Sequence, residues 1–145
     1  MLYYRRMGTE DLAEELRAAI GRFVRATRAH ADGLPPARAQ AMGHLSREGP
    51  QTIACLAGRH GVRHQSMSRV VGELESLGYV TRAANPDDAR GFVIALTPAG
   101  EAALEADRAA RRAWVATAIE TRLTPAERAI LLAVPALLDR LAADD

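Results

Sequence analysis

Lysine is absent from this chain of 145 residues: all 19 basic side chains are arginine, and alanine is abundant. That pairing reads as the coding bias of a GC-rich genome. The single cysteine, Cys55, excludes an internal disulfide framework and a cysteine-based zinc cluster. No apolar run approaches the roughly 18 residues that a membrane span needs, so no membrane partner is expected. The opening Met1-Leu2-Tyr3-Tyr4-Arg5-Arg6 lacks the long apolar core of a signal peptide, and a cytoplasmic protein is the simplest reading. Also missing are a Gly-rich phosphate loop, a Ser/His/Asp or Cys/His signature and a carboxylate pair in recognisable context. Those absences argue against an enzyme and against a cofactor.

The net charge is only +1, so no global field announces nucleic acid. The distribution says more. Between Gly49 and Gly72 there is no acidic residue, while Arg59, Arg63, Arg69, His60 and His64 fall there. Acidic residues gather instead within 10–15 and at Asp144 and Asp145. A locally basic patch on a near-neutral chain suits reversible binding of double-stranded DNA.

The length is that of one domain. Leu12, Leu16, Ile20, Phe23 and Val24 recur at spacings of three and four and predict a helix over 11–31 with one apolar stripe. Pro35-Pro36 starts the next helix, to about Arg47. Thr52 is a good N-cap for a third helix that ends at Gly61, and a fourth runs from about His64 to Leu77 and stops at Gly78. Strands are expected at 79–81 and 92–96, where Phe92, Ile94 and Leu96 share a face by alternation. Asn85-Pro86-Asp87-Asp88 supplies turn chemistry between them. Thr97-Pro98 caps a long helix to about Arg122. Thr124-Pro125-Ala126-Glu127 is a capping box opening a last helix through Leu141, whose apolar face holds Ile130, Leu131, Val134, Leu137, Leu138 and Leu141.

A short helix ending at glycine, a second amphipathic helix and a hairpin with a charged tip form a winged helix-turn-helix, a device for placing one helix in the DNA major groove. The fold class is therefore mainly α with a small β-hairpin wing. The expected organisation is a dimerisation helix over 1–33, a DNA-binding lobe over 34–97 and dimerisation helices over 98–145. Terminal helices with faces to bury suggest pairing with a second copy through Leu12, Leu16, Leu137, Leu138 and Leu141.

In the fourth helix Met67, Val70, Val71, Leu74 and Leu77 form the stripe expected to be buried. The opposite face carries His64, Gln65, Ser68 and Arg69, with Ser66 at one flank. Arg grips guanine O6 and N7 and Gln grips adenine N6 and N7, but which residue reads a base and which a phosphate stays open. Arg63, at the helix start, caps poorly and opposes the helix dipole, which a nearby phosphate would offset. Gly72 inside this helix costs about 1 kcal/mol relative to Ala. Close packing and close approach of DNA are the two readings. In the wing, Asp88 and Arg90 are two apart and point to one side of a strand. An Asp there can orient the guanidinium for the narrow minor groove.

Leu56-Ala57 with Gly61-Val62, then Ser68-Arg69-Val70-Val71, Leu74-Glu75 and Gly78-Tyr79-Val80, then Asn85-Pro86-Asp87-Asp88-Ala89-Arg90 with Leu96-Thr97 and Gly100, resemble the MarR family of bacterial transcriptional regulators. The likeness covers about 34–141. It implies a homodimer of winged helix-turn-helix protomers whose operator binding is weakened by a small-molecule effector, or by oxidation in some members. It also implies a minor-groove role for Arg90. The chain departs from the family's pattern at Arg63, His60, Asn85 and Ala89. The last change removes one wing charge. His60 is read as a partly exposed helix end, not a metal ligand.

The expected function is a repressor that binds a near-palindromic operator as a homodimer and is released by a ligand. An effector pocket is expected between the terminal-helix platform and the DNA-binding lobe, near the second and fifth helices. Two alternatives are a winged-helix module for protein contacts only and a redox-responsive regulator acting through Cys55. Trp114, Tyr3 and Tyr4 are read as packing residues of the dimer.

Overall fold

The computed structural model describes residues 8–31 and 33–143, so Tyr3, Tyr4, Asp144 and Asp145 lie outside the described residues. The elements run α1 (Thr9–His30), α2 (Pro36–Glu48), α3 (Ile53–His60), α4 (His64–Ser76), β1 (Val80–Asn85), β2 (Asp88–Leu96), α5 (Pro98–Arg122), α6 (Pro125–Leu131) and α7 (Val134–Ala142). The chain divides after Arg111 into two compact units. The first holds α1 to the middle of α5. The second holds the rest of α5 with α6 and α7.

Local chemistry sets the boundaries in the first unit. Thr52 Oγ1 accepts from the Cys55 N–H at 3.1 Å and caps α3, as expected. Gly61 ends α3 in the left-handed region at φ 61°, where the missing Cβ removes the steric cost. The Val62 N–H then returns to the Ala57 carbonyl at 3.1 Å and closes the turn into α4. Thr97 Oγ1 accepts from the Gly100 N–H and donates to the Gly78 carbonyl. It thereby caps α5 and pins the base of the hairpin. Position 100 requires glycine because a Cβ there would overlap the Tyr79 carbonyl.

The core of this unit collects one face from each of several elements. Met42, Leu56, Val71, Leu74, Ile94 and Leu104 are fully buried, from α2, α3, α4, β2 and α5. Transfer of each such side chain from water contributes roughly 1.5–3 kcal/mol toward holding α4 in place. Val70 packs against this cluster. Leu77, expected in the α4 stripe, is instead 46% exposed. It serves as the C-cap, beyond the last full turn, so the helical stripe no longer aims it inward.

The hairpin is longer than its apolar residues suggest. The strands extend to Asn85 and back from Asp88, leaving Pro86 and Asp87 as the tip. Antiparallel pairing runs from Val80 with Leu96 to Ala84 with Phe92, then slips so that Asn85 faces Asp88. Ladder bonding extends the strands through polar residues that alternation alone does not mark. On its other edge, β2 exchanges two backbone bonds with Gln51, at 3.1 and 2.7 Å, through Ile94. Ile94 is buried and Phe92, on the same face, is 40% exposed.

In α1 the expected stripe is largely uncovered: Leu12 and Phe23 are each 52% exposed, and Thr27 is the buried residue of the helix. In the second unit the capping box is present. Thr124 Oγ1 accepts from the Glu127 N–H at 3.2 Å and Glu127 Oε2 accepts from the Thr124 N–H at 2.8 Å. The single last helix expected through Leu141 is two helices, broken at Leu132 and Ala133. Pro135 explains the break. It has no N–H to donate to the Leu131 carbonyl, and its ring collides with that turn. Neither α6 nor α7 contains a buried residue. Trp114 is half-buried, with the Arg122 guanidinium over its ring at 5.6 Å.

Candidate nucleic-acid interface

The outward face of α4 follows from the inward one. Once Met67, Val71 and Leu74 are buried, the helical repeat turns Gln65, Ser66 and Arg69 to solvent, with Ser68 half-buried. His64 opens the helix and its Nδ1 lies 3.4 Å from Ser68 Oγ. Arg63 occupies the N-cap position with no side-chain cap bond, so the first N–H groups of α4 keep no side-chain partner from that position. All six sequence-selected residues of this helix start therefore share one surface. That surface offers guanidinium, amide, imidazole and hydroxyl groups.

Arg69 is not free on it. Its Nε lies 3.5 Å from Glu73 Oε1, and Glu73 Oε2 accepts from Arg38 Nε at 3.2 Å. One carboxylate thus steers two guanidinium groups, although Arg69 keeps 84% of its side-chain surface in water. At that exposure the ion pair adds little stability, and its effect is orientation. The Arg69/Glu73 spacing of four was legible on a helix. Arg38, from α2, was not. At Gly72 a Cβ would meet nothing within 4 Å. Packing within the chain therefore does not require this glycine.

The wing differs from expectation in one respect. Asp88 Oδ1 accepts from the backbone N–H of Arg90 at 3.0 Å, and no ion pair joins their side chains among the described residues. The reason is geometric. Asx-type bonding two residues ahead is the shortest reach for this carboxylate, and the strand slip at the tip puts that N–H within range. Asn85 Oδ1 does the same for Asp87 N at 3.0 Å. The tip is thus stiffened from its own backbone, and Arg90 is exposed with its guanidinium unpaired among the described residues.

Arg82 is a wing residue that sequence reasoning missed. Its guanidinium lies 4.3 Å from the Phe92 ring centre and 2.8 Å from Glu75 Oε1. The Glu75 carboxylate holds the Arg82 pKa above its usual value. This contact ties β1 to α4, so helix and wing are presented together.

Cys55 is half-buried, and its thiol donates to Gln51 Oε1 at 2.9 Å. A separate cavity of about 230 Å³ lies within the first unit, lined from α1, α2, α3 and α5 by residues that include Arg28, Leu34, Arg47, His60, Leu104 and Arg108. The Leu34 N–H donates to the buried Asp107 carboxylate at 2.8 Å, and Arg111 also binds that carboxylate. His60 is half-buried and meets His44 edge to face at 5.7 Å between ring centres. Burial, then His44 and Arg47, hold its pKa below the usual imidazole value. The sequence carried no signal for this pairing of α2 with α3.

The model of the MarR family matches residues 32–91. An uncharacterized HTH-type transcriptional regulator of Mycobacterium bovis is 36% identical over 122 residues, 83% of this chain and 85% of its own. A solved protein of Pseudomonas aeruginosa superposes with a TM-score of 0.80 at 29% identity, covering 95% of this chain and 99% of that one. A solved structure described as a MarR family transcription regulator gives a TM-score of 0.57 at 27% identity, over 92% and 84% of the two chains. No helix among the described residues is long and apolar enough to cross a membrane. With the buried face of α4, its polar outer face and the wing in the arrangement described, the chain belongs to the MarR family of DNA-binding, winged helix-turn-helix transcriptional regulators.

Proposed function

We propose that this regulator is a homodimeric repressor that binds a near-palindromic operator and is released by a small molecule. The observation that carries the DNA contact is the shared surface of Arg63, His64, Gln65, Ser66, Ser68 and Arg69, with the exposed Arg90 on a backbone-stiffened wing. α4 enters the major groove, and the wing tip lies along the adjacent minor groove. Asp88 contributes by shaping the tip rather than by touching DNA.

One protomer carries one recognition helix, and two half-sites about one helical turn apart require two. The uncovered apolar side chains support pairing with a second copy. In α1 these are Leu12, Ile20 and Phe23, with Leu16 half-buried. In the second unit they are Leu137 and Leu141, with Leu138 half-buried. The cavity beside α2 and α5 is the candidate effector site. A gel shift on the DNA upstream of the chain's own gene, with excess nonspecific competitor, tests the reading. A discrete complex that survives the competitor is the expected result. No retardation beyond that of random DNA would refute it.

A further inference from the structure

The recognition helix α4 carries two carboxylates, and an arginine from another element sits on each: Arg38 of α2 on Glu73, and Arg82 of β1 on Glu75. Among the described residues, only Glu73 also reaches the polar outer face of the helix, at Arg69 one turn back. Its two oxygens divide between the two arginines. Nε and Nη2 of Arg38 lie 3.2 and 3.1 Å from Oε2, which leaves Oε1 for Arg69. Exposure is graded along this row: 29% for the Arg38 side chain, 38% for Glu73 and 84% for Arg69. Arg38 is thus covered and committed, and Arg69 is the member that can reach a duplex.

From Arg63 onward the first acidic residue is Glu73. A carboxylate there repels phosphate, and the repulsion grows as binding expels water from the interface. Arg38 offsets that charge from behind. Glu73 meets Arg69 at Nε, which leaves Nη1 and Nη2 open, among the described residues, for the paired grip of Arg on guanine O6 and N7. In the free chain an ion pair this exposed adds little stability. Its effect rises once DNA covers Arg69, because the lower dielectric strengthens the attraction that holds the guanidinium.

We propose that Arg38 and Glu73 are a positioning pair that fixes Arg69 on a guanine in each half-site, neither of the two touching DNA. The inference rests on the reading of α4 as the helix in the major groove and deepens it. Glu73 restricts where the Arg69 fork can aim, which sets sequence preference. Arg38 cancels the Glu73 charge toward the duplex, which sets affinity without regard to sequence. The two roles separate because one acts on the direction of a side chain and the other on net charge.

Duplexes selected by the full wild-type chain from a random-sequence library are the probe. Salt-titrated affinity for a selected duplex, for its single-base variants and for random duplex is measured at a temperature where thermal melts show every protein folded. The proteins are wild type, Arg38→Met, Glu73→Met, the double variant and Arg38→Lys. Arg38→Met weakens binding to selected and random duplex alike by about tenfold, with the salt slope unchanged. Arg38→Lys, which keeps the charge, binds within about twofold of wild type. Glu73→Met binds random duplex no more weakly than wild type, but its preference for one guanine per half-site falls about tenfold. The double variant recovers the affinity lost in Arg38→Met and not the preference. A pair that only braces α2 against α4 gives no such recovery, and that outcome overturns the proposal. So does a lowered salt slope in Arg38→Met that persists in the double variant, which would make Arg38 a phosphate contact, or an unchanged guanine preference in Glu73→Met. A wild type that selects a duplex while any of these holds removes the positioning pair alone. A wild type that selects no duplex removes the DNA reading and the pair with it.

Discussion

At Gly72 the free protein has room for a side chain and gains nothing from its absence. Gly72→Ala should therefore stabilise the free protein by about 1 kcal/mol, raising the melting temperature by some ~4 °C. Operator affinity measured on the same variant should fall, because the added methyl group points into space that the duplex is expected to fill. A variant that melts higher and binds unchanged would show that the helix backbone stays clear of DNA. Asp88 separates two roles of a carboxylate. Asp88→Asn keeps an oxygen for the Arg90 N–H and drops the charge, whereas Asp88→Ala drops both. Salt-titrated affinity should be near wild type for the first and reduced for the second. Equal loss in both would restore the side-chain pairing that the bond at the tip argues against. Arg69→Ala should cost about 1–3 kcal/mol if it grips a base, and Arg90→Ala should lower the salt slope with less effect on major-groove preference. His60 adds a pH signature to stability. The unfolded imidazole titrates near 6.5 and the folded one lower, so the unfolded chain binds more protons in that window. Stability is fully present above 6.5 and is lost as pH falls through the folded value. His60→Leu should flatten that slope in thermal melts.

Among the elements, those whose ends are set by a single local rule were legible in the sequence. Thr52, Gly61 and the Thr124 box each satisfy or release backbone groups within a few residues, and all three sit where that chemistry puts them. The hairpin was legible only at its apolar half, because its outer pairs are held by ladder bonds and by Asn85 and Asp88 rather than by buried side chains. The break before α7 carried a signal, Pro135, that an unbroken apolar pattern outweighed. Pro135→Ala should let the turn bond form and fuse α6 with α7, increasing ellipticity at 222 nm. Unchanged helicity would place the cause of the break elsewhere. Of the candidate site, the outer face of α4 was readable because burial of its inner face dictates it. Arg38 on Glu73, Arg82 on Phe92 and the His44–His60 contact were not, because each joins residues from different elements.

For the whole molecule, the ratio of covered to uncovered apolar surface differs between its parts. In the winged-helix portion the large apolar side chains left uncovered, Val62, Leu77 and Phe92, are 40–46% exposed, while Leu132 is 84% exposed, Leu141 71% and Ile130 70%. Replacing Leu137 and Leu141 by Glu should yield monomeric or insoluble protein in light scattering, with operator affinity collapsing in parallel. A double variant that stays dimeric would remove these residues from the interface. If the proposed homodimer forms through these side chains, a protomer without its partner would present them to the surrounding water, the surface that chaperones bind and proteases sample. Unpaired copies would then be cleared faster than paired ones. Turnover inside the cell would trim the pool toward the assembled form, and the amount of active regulator would follow the pairing equilibrium more steeply than the rate of synthesis.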